Sequence, residues 1–338
     1  MTGPVAPQRL ASLPILAGAN PDDLAPAAAR MWSRSAEPGE VLVREGEPGD
    51  TFWLLLEGAV SVTRSSPSGV QLLAEAPAGS ILGELSVLRH QPRTATLTAS
   101  EPSVLAVGDH ETLELLLAVP AVRNRMRLIA SSRLARDVSP VPTELSDGTP
   151  VLLHPLLPQD REGFLAMVSG MSADSLRRRF FSVGRPSDAL IEYLIDIDYV
   201  DHFAWIVVDP ADQATGLASA RYVRAPGDEV AEAAFGTAEA HHSRGLGTLL
   251  MGALGVAAAE AGIGTLVAHV LDENTAMRAV FAKAHPKTVF DEPGVLQVTF
   301  SSEAAAAVLD PELRARLSET VHDIVTAASL ALTAPHDP

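Results

Sequence analysis

The chain alternates between two textures of apolar spacing, and each predicts a different kind of element. Residues 8–33 read as short helices: Pro21 and Asp22 open a segment whose apolar positions include Leu24, Ala28 and Met31. From Glu37 to Gly108 the pattern breaks into short β-branched or leucine-rich runs at 41–43, 52–56, 59–62, 70–73, 94–98 and 104–107. Pro-Gly, Gly-Asp and Ser-Gly turns punctuate them, a spacing that predicts an antiparallel roll or jelly roll. Residues 110–136 return to helical periodicity through Leu113, Leu116 and Leu117, then Val122, Met126, Ile129 and Leu134. Pro120 stands between the two groups and should break or kink the helix.

The segment Ser139-Pro140-Val141-Pro142-Thr143 holds two prolines within four residues, which disfavours both helix and central strand. It is read as the linker, at 139–145, after a first domain of residues 1–138. Strand-like runs at 151–154, 203–208, 215–223, 230–235, 265–270 and 295–300 then alternate with helical runs at 160–170, 187–196, 247–261 and 275–284. That alternation predicts a sheet flanked by helices over residues 146–303. The rest, 304–338, carries Leu313, Leu317, Val321 and Ile324 at helical spacing and is expected to form a helical tail, a candidate lid. The fold class is therefore α+β and multidomain.

Composition narrows the chemistry. The net charge of −17 disfavours a nucleic-acid partner, since tracking phosphates requires an excess of Lys and Arg, and disfavours an anionic membrane as well. With no cysteine there is no disulfide, no thiolate metal site and no cysteinyl intermediate. The apolar stretch 249–263 is short and interrupted by Glu260, and no signal-peptide pattern precedes it, so a cytoplasmic location is expected. His241-His242 is an isolated pair, and no cluster has metal-ligand spacing.

Two stretches carry chemistry. In the first, Gly83-Glu84-Leu85-Ser86 is followed by Arg93-Thr94. A cyclic ribose phosphate needs an acceptor for its hydroxyl, a guanidinium for an equatorial oxygen, and backbone N–H groups at a helix start, and this segment offers all three. Taken singly, Glu84 could merely favour a helix start and Arg93 could be a solvated turn residue. Together they resemble the phosphate-binding cassette of cyclic-nucleotide-binding domains, with Gly39, Gly46, Asp50 and Gly58 at that family's turns. The resemblance implies that Glu84 takes the ribose hydroxyl, Arg93 the phosphate, and the N–H groups of Glu84 and Leu85 the remaining charge. It favours cAMP as the ligand, although Thr94 could serve either purine.

In the second stretch, His242-Ser243-Arg244-Gly245-Leu246-Gly247 runs into the helical pattern that begins at Thr248. Small residues ahead of a helix let backbone N–H groups close around a pyrophosphate. A Rossmann fingerprint lacks its third glycine here, and a Walker loop lacks Gly-Lys-Ser/Thr. On the preceding run, alternation puts Glu232 on one face with Val230 and Ala234, where partial burial would raise its pKa as a general base needs. The alternative is a charge that guards an edge strand. The loop resembles the acetyl-CoA signature of GNAT-family N-acetyltransferases, with His242 departing at its first position.

That resemblance implies acetyl-CoA as co-substrate and Glu232 as catalytic base. It also gives the thioester carbonyl to the strand amides near Phe235, Gly236 and Thr237, and the pantetheine arm to Asn274, which could equally be a helix cap. Phe281 takes the place of a tyrosine that many relatives use as acid. Across nearly the whole chain, including Tyr199-Val200-Asp201-His202-Phe203 and Arg178-Arg179-Phe180, the sequence resembles the cAMP-regulated protein lysine acetyltransferases of mycobacteria and related actinobacteria. It implies that those segments, with the run Arg177 to Arg179 and Tyr193, form the acceptor side. The implied acceptor is a protein lysine, on an acyl-CoA synthetase or a stress protein. Two rivals stay open: acetylation of a small amine or peptide N-terminus, and a non-catalytic nucleotide-binding regulator.

Overall fold

A computed structural model describes residues 3–66, 69–181 and 184–330. The chain divides into two compact units, the first taking in the described residues 3–130 and 327–330 and the second spanning Ser131–Thr326.

In the first unit the strands are β1 (Gly3–Pro4), β2 (Trp32–Ala36), β3 (Val41–Val43), β4 (Thr51–Glu57), β5 (Ala59–Ser66), β6 (Gly69–Pro77), β7 (Ile81–Leu82), β8 (Thr96–Ala99) and β9 (Ser103–Asp109). They form two antiparallel sheets, ordered β1-β2-β9-β4-β7 and β3-β8-β5-β6. The run Phe52 to Leu56 shows why a continuous apolar strand is needed. Alternation sends Trp53 and Leu55 into the roll, against Val60, Leu97 and Leu105. Phe52, Leu54 and Leu56 point the other way, into a second core shared with helices. Those helices include α1 (Pro7–Ala11), α2 (Pro21–Arg30) and α4 (His110–Leu117); α3 (Glu84–Arg89) follows β7 directly. Asp109 caps α4 by accepting from the Thr112 N–H at 2.9 Å. The helical pattern does break at Pro120, which opens α5 (Pro120–Asp137), a position where its missing N–H costs nothing.

In the second unit β10 (Val141–Glu144), β11 (Pro150–Pro155), β12 (His202–Asp209), β13 (Asp212–Val223), β14 (Val230–Thr237), β15 (Thr265–Leu271), β16 (Lys287–Glu292) and β17 (Val295–Ser301) make one sheet. Its order is β10-β11-β12-β13-β14-β15-β17-β16, antiparallel except where β14 meets β15. Two sequence expectations change here. The segment read as a linker contains β10, paired with β11 from Val141↔Leu153 to Glu144↔Pro150. Pro142 is tolerated because β10 is the edge strand, where a missing N–H can face away from the ladder.

The second change concerns the tail. Helices α6 (Arg161–Ser169), α7 (Ala173–Phe180), α8 (Asp188–Ile195), α9 (Leu246–Glu260), α10 (Thr275–Ala282), α11 (Ser302–Ala306) and α12 (Pro311–Leu330) accompany the sheet. The Trp205 indole donates to the Ala253 carbonyl at 2.9 Å and ties β12 to α9. Leu317, Val321 and Ile324 of α12 are fully buried in the same core as Trp205 and α9. The helix read as a tail and candidate lid thus packs its apolar stripe into the core of this unit. Among the described residues no helix is long and apolar enough to cross a membrane.

Candidate active site and nucleotide cradle

The cleft of the second unit exists because two neighbouring strands stop pairing. Strands β14 and β15 are in register from Val230↔Thr265 to Glu232↔Val267 and no further, though they continue to Thr237 and Leu271. Beyond Glu232 they part, and the other edge of β14 stays zipped to β13 as far as Ala218↔Thr237. The gap opens a cleft of about 810 Å³ whose lining includes Glu232, Phe235, Gly236, Thr237, His242, Ser243, Gly245, Leu246, Gly247, Thr248 and Asn274.

The loop ahead of α9 is held in a shape that glycine permits. Gly245, at the N-cap of α9, has φ +94°, and a Cβ there would lie 2.9 Å from the Ser146 hydroxyl. Ser146 also fixes the loop by donating to the Arg244 carbonyl at 3.1 Å. Arg244 itself does not line the cleft. Its Nε donates to Asp147 at 2.7 Å, and this pairing holds the Asp147 carboxyl down at about 2. His242 contacts the Thr237 carbonyl at 3.2 Å. The Asn274 side chain accepts from the Met277 N–H at 3.1 Å, which makes it the cap of α10 as well as a cleft residue. Phe281 is buried between Phe235 and Phe300, with centroids 5.6 and 5.4 Å away.

Glu232 sits where the strands part. The expected apolar surroundings are not there: its side chain is 69% exposed, because the face it shares with Val230 opens to the cleft and to solvent. Its Oε1 lies 3.8 Å from His269 Nδ1 on β15, a residue that strand alternation alone could not associate with it. Arg179, on α7, lies against Gly236; burial lowers its guanidinium to about 10, opposed by the charge of Glu232.

The segment 199–203, expected on the acceptor side, is buried instead. The Tyr199 hydroxyl donates to Leu156 O at 2.9 Å, and Asp201 pairs with Arg224 at 2.8 Å. Asp198 Oδ1 accepts from the N–H groups of Val200, Asp201 and His202, so the motif builds a turn rather than a binding face. Tyr193 is half exposed, yet stacks on the buried His202 at 5.3 Å. Of the expected acceptor residues, Arg178, Arg179 and Phe180 line the cleft.

In the roll, Gly83 takes φ +74° at the N-cap of α3, where a Cβ would meet Arg93 Nη1 at 2.6 Å. Glu84, Ser86 and Arg93 are all buried, Leu85 is half-buried and Thr94 is exposed. The Arg93 guanidinium donates to Gly83 O at 2.9 Å and Thr51 O at 2.6 Å, and lies 4.8 Å above the Trp53 ring. Its Nε has no partner among the described residues. Burial lowers the Arg93 pKa, offset by the charges of Asp50, Glu47 and Glu84. The cradle therefore presents a buried cation with a donor to spare, a few residues after a left-handed helix start.

Comparison with known proteins assigns a family to each of two stretches of the chain. Residues 33–119 match the cyclic nucleotide-binding domain family, and residues 151–286 match the acetyltransferase (GNAT) domain family. These two matches define a nucleotide-binding acetyltransferase. Acetyltransferase Pat of Mycolicibacterium smegmatis is 36% identical over 322 residues, which cover 95% of this chain and 96% of that protein. The chain belongs to this family of N-acetyltransferases, in which acetyl-CoA is the co-substrate. The solved structure of a cAMP-binding acyltransferase from Mycobacterium smegmatis is 33% identical, covering 96% of this chain and 98% of the other, with TM-score 0.49. A cAMP-dependent protein kinase regulatory subunit of Yarrowia lipolytica is 33% identical across 108 residues, 32% of this chain and 28% of the relative.

Proposed function

We propose that the chain is a cAMP-regulated protein lysine N-acetyltransferase that moves acetyl from acetyl-CoA directly to a lysine amine, with an acyl-CoA synthetase as the foremost acceptor. The observation that carries this reading is the position of Glu232. It stands at the mouth of the gap between β14 and β15, in one cleft with the loop at the start of α9. The relative's description as a cAMP-binding acyltransferase, with the buried Arg93 and Glu84 of the roll, supports cAMP as the effector.

At neutral pH only about one lysine amine in a few thousand is uncharged, given an ordinary pKa near 10.4. Glu232 removes the amine proton, the freed lone pair attacks the thioester carbon, and amides of the parted β14 stabilise the oxygen that gains charge. Gly245, Leu246 and Gly247 present backbone N–H groups to the pyrophosphate, and Ser243 and Thr248 flank them. The C–S bond then breaks. Phe281 has no hydroxyl to give, so the thiolate leaves as an anion or takes a proton from water; a thiol pKa near ~8.5 makes that tolerable.

Glu232→Gln should lower thioester cleavage by about 100-fold, the usual worth of a general base, with the protein folded as before. The measurement is free-thiol release from acetyl-CoA with saturating cAMP and an acyl-CoA synthetase as acceptor. An intact-mass gain of one acetyl on the synthetase is expected. A gain on small amines alone would transfer the reading to a small-molecule acetyltransferase, and parental activity in Glu232→Gln would end it.

A further inference from the structure

Glu232 does not stand alone. Past the last paired residues, Glu232↔Val267, strand alternation brings His269 onto the same face as Glu232, one step further into the gap. Its Nδ1 lies 3.8 Å from Glu232 Oε1, while its Nε2 lies 3.4 Å from Asp291 Oδ2 on β16. Between them the ring is only 28% exposed, against 69% and 45% for the two carboxylates, so it bridges two wetter groups through a drier middle. Its register partner on β17 is the uncharged Gln297, and Arg179 faces the Glu232 end.

This geometry solves a problem that an exposed base leaves open. After each turnover Glu232 holds the proton of an acceptor amine, and an arriving protein substrate would cover its route to solvent. We infer that His269 is a positioning and relay residue: it aims Glu232 at the amine and carries the proton away beneath the bound acceptor. The balance is simple. The amine N–H bond breaks as Glu232 takes the proton; across the 3.8 Å to His269 one water takes that proton from the Glu232 O–H and gives one of its own to Nδ1. The Nε2 proton leaves to Asp291 and then to water, and exchange with water restores the starting tautomer. A side chain with an acceptor on one nitrogen and a donor on the other is what such a step requires. The inference rests on Glu232 being the base.

The test uses the full chain with acetyl-CoA, saturating cAMP and the synthetase acceptor. His269→Ala and His269→Gln should each lower kcat about tenfold, the lower part of what acid–base groups contribute, with the acetyl-CoA KM unchanged within about twofold. Added imidazole should restore His269→Ala, whose missing ring leaves room beside the cleft, but not His269→Gln. Asp291→Asn should lower kcat less than either. Parental kcat in both His269 variants, or a loss that imidazole does not restore, would overturn the relay while leaving the base in place. Full activity in Glu232→Gln would overturn the base and the relay together, so the two failures are distinguishable.

Discussion

His202 is 6% exposed, and its Nε2 lies 3.2 Å from Arg221 Nη1, so only the neutral ring can accept that hydrogen bond. Burial first, and then the Arg221 charge, lower its pKa to about 4. In the unfolded chain the ring titrates near ~6.5, so between these values the unfolded state binds a proton that the folded state refuses. Stability is therefore fully present above the unfolded value and is lost as pH falls from about 6.5 toward 4, by on the order of 3 kcal/mol. Unfolding midpoints at pH 7 and pH 5 should separate by clearly more in the parent than in His202→Asn; equal separation would remove this role. Tyr199, Asp201 and His202 looked like polar and aromatic groups for an acceptor, yet each finds its partner inside the fold. The place of Glu232 on the strand ahead of a glycine loop was legible. His269 was not, because nothing local says that β15 lies beside β14 or that the two part.

Elements were more legible, since apolar periodicity needs no knowledge of neighbours. Six of the roll strands (β3, β4, β5, β6, β8 and β9), the helix start at Pro21 and the break at Pro120 follow from spacing and turn chemistry alone. Other elements escaped: β2, β7, β16 and α7 lie outside the runs that spacing marks, and two more were misjudged. Proline-rich residues 139–143 read as a linker, but an edge position removes proline's penalty, and β10 forms there. The stripe Leu313, Leu317, Val321, Ile324 announced a helix without announcing what it covers, and only tertiary structure shows it in the core of the sheet. Leu317→Asp puts an unpaired charge at a site with no exposure and should cost more than about 3 kcal/mol. Denaturant unfolding or loss of soluble protein measures this, and a neutral outcome would mean that α12 is only loosely held.

At the scale of the molecule, one chain of net charge −17 carries a cyclic nucleotide-binding domain and an acetyltransferase domain. Coupling between them requires little: a tenfold change in activity is about 1.4 kcal/mol of difference between two states. In the proposed reading the ligand side of that coupling depends on Arg93. With cAMP at about 100 times its Kd, the parent should gain roughly 2.7 kcal/mol and a higher unfolding midpoint. Arg93→Ala should show neither that shift nor binding heat in calorimetry, and a retained shift would place the nucleotide elsewhere. The parting of β14 from β15 has a longer reach. Under the proposed reading it offers the thioester peptide groups, which belong to no particular codon, so drift along 233–237 cannot erase a donor unless proline arrives. In the proposed reading the grip on coenzyme is thereby buffered against mutation, while the side chains of α7 remain free to diverge toward new acceptors.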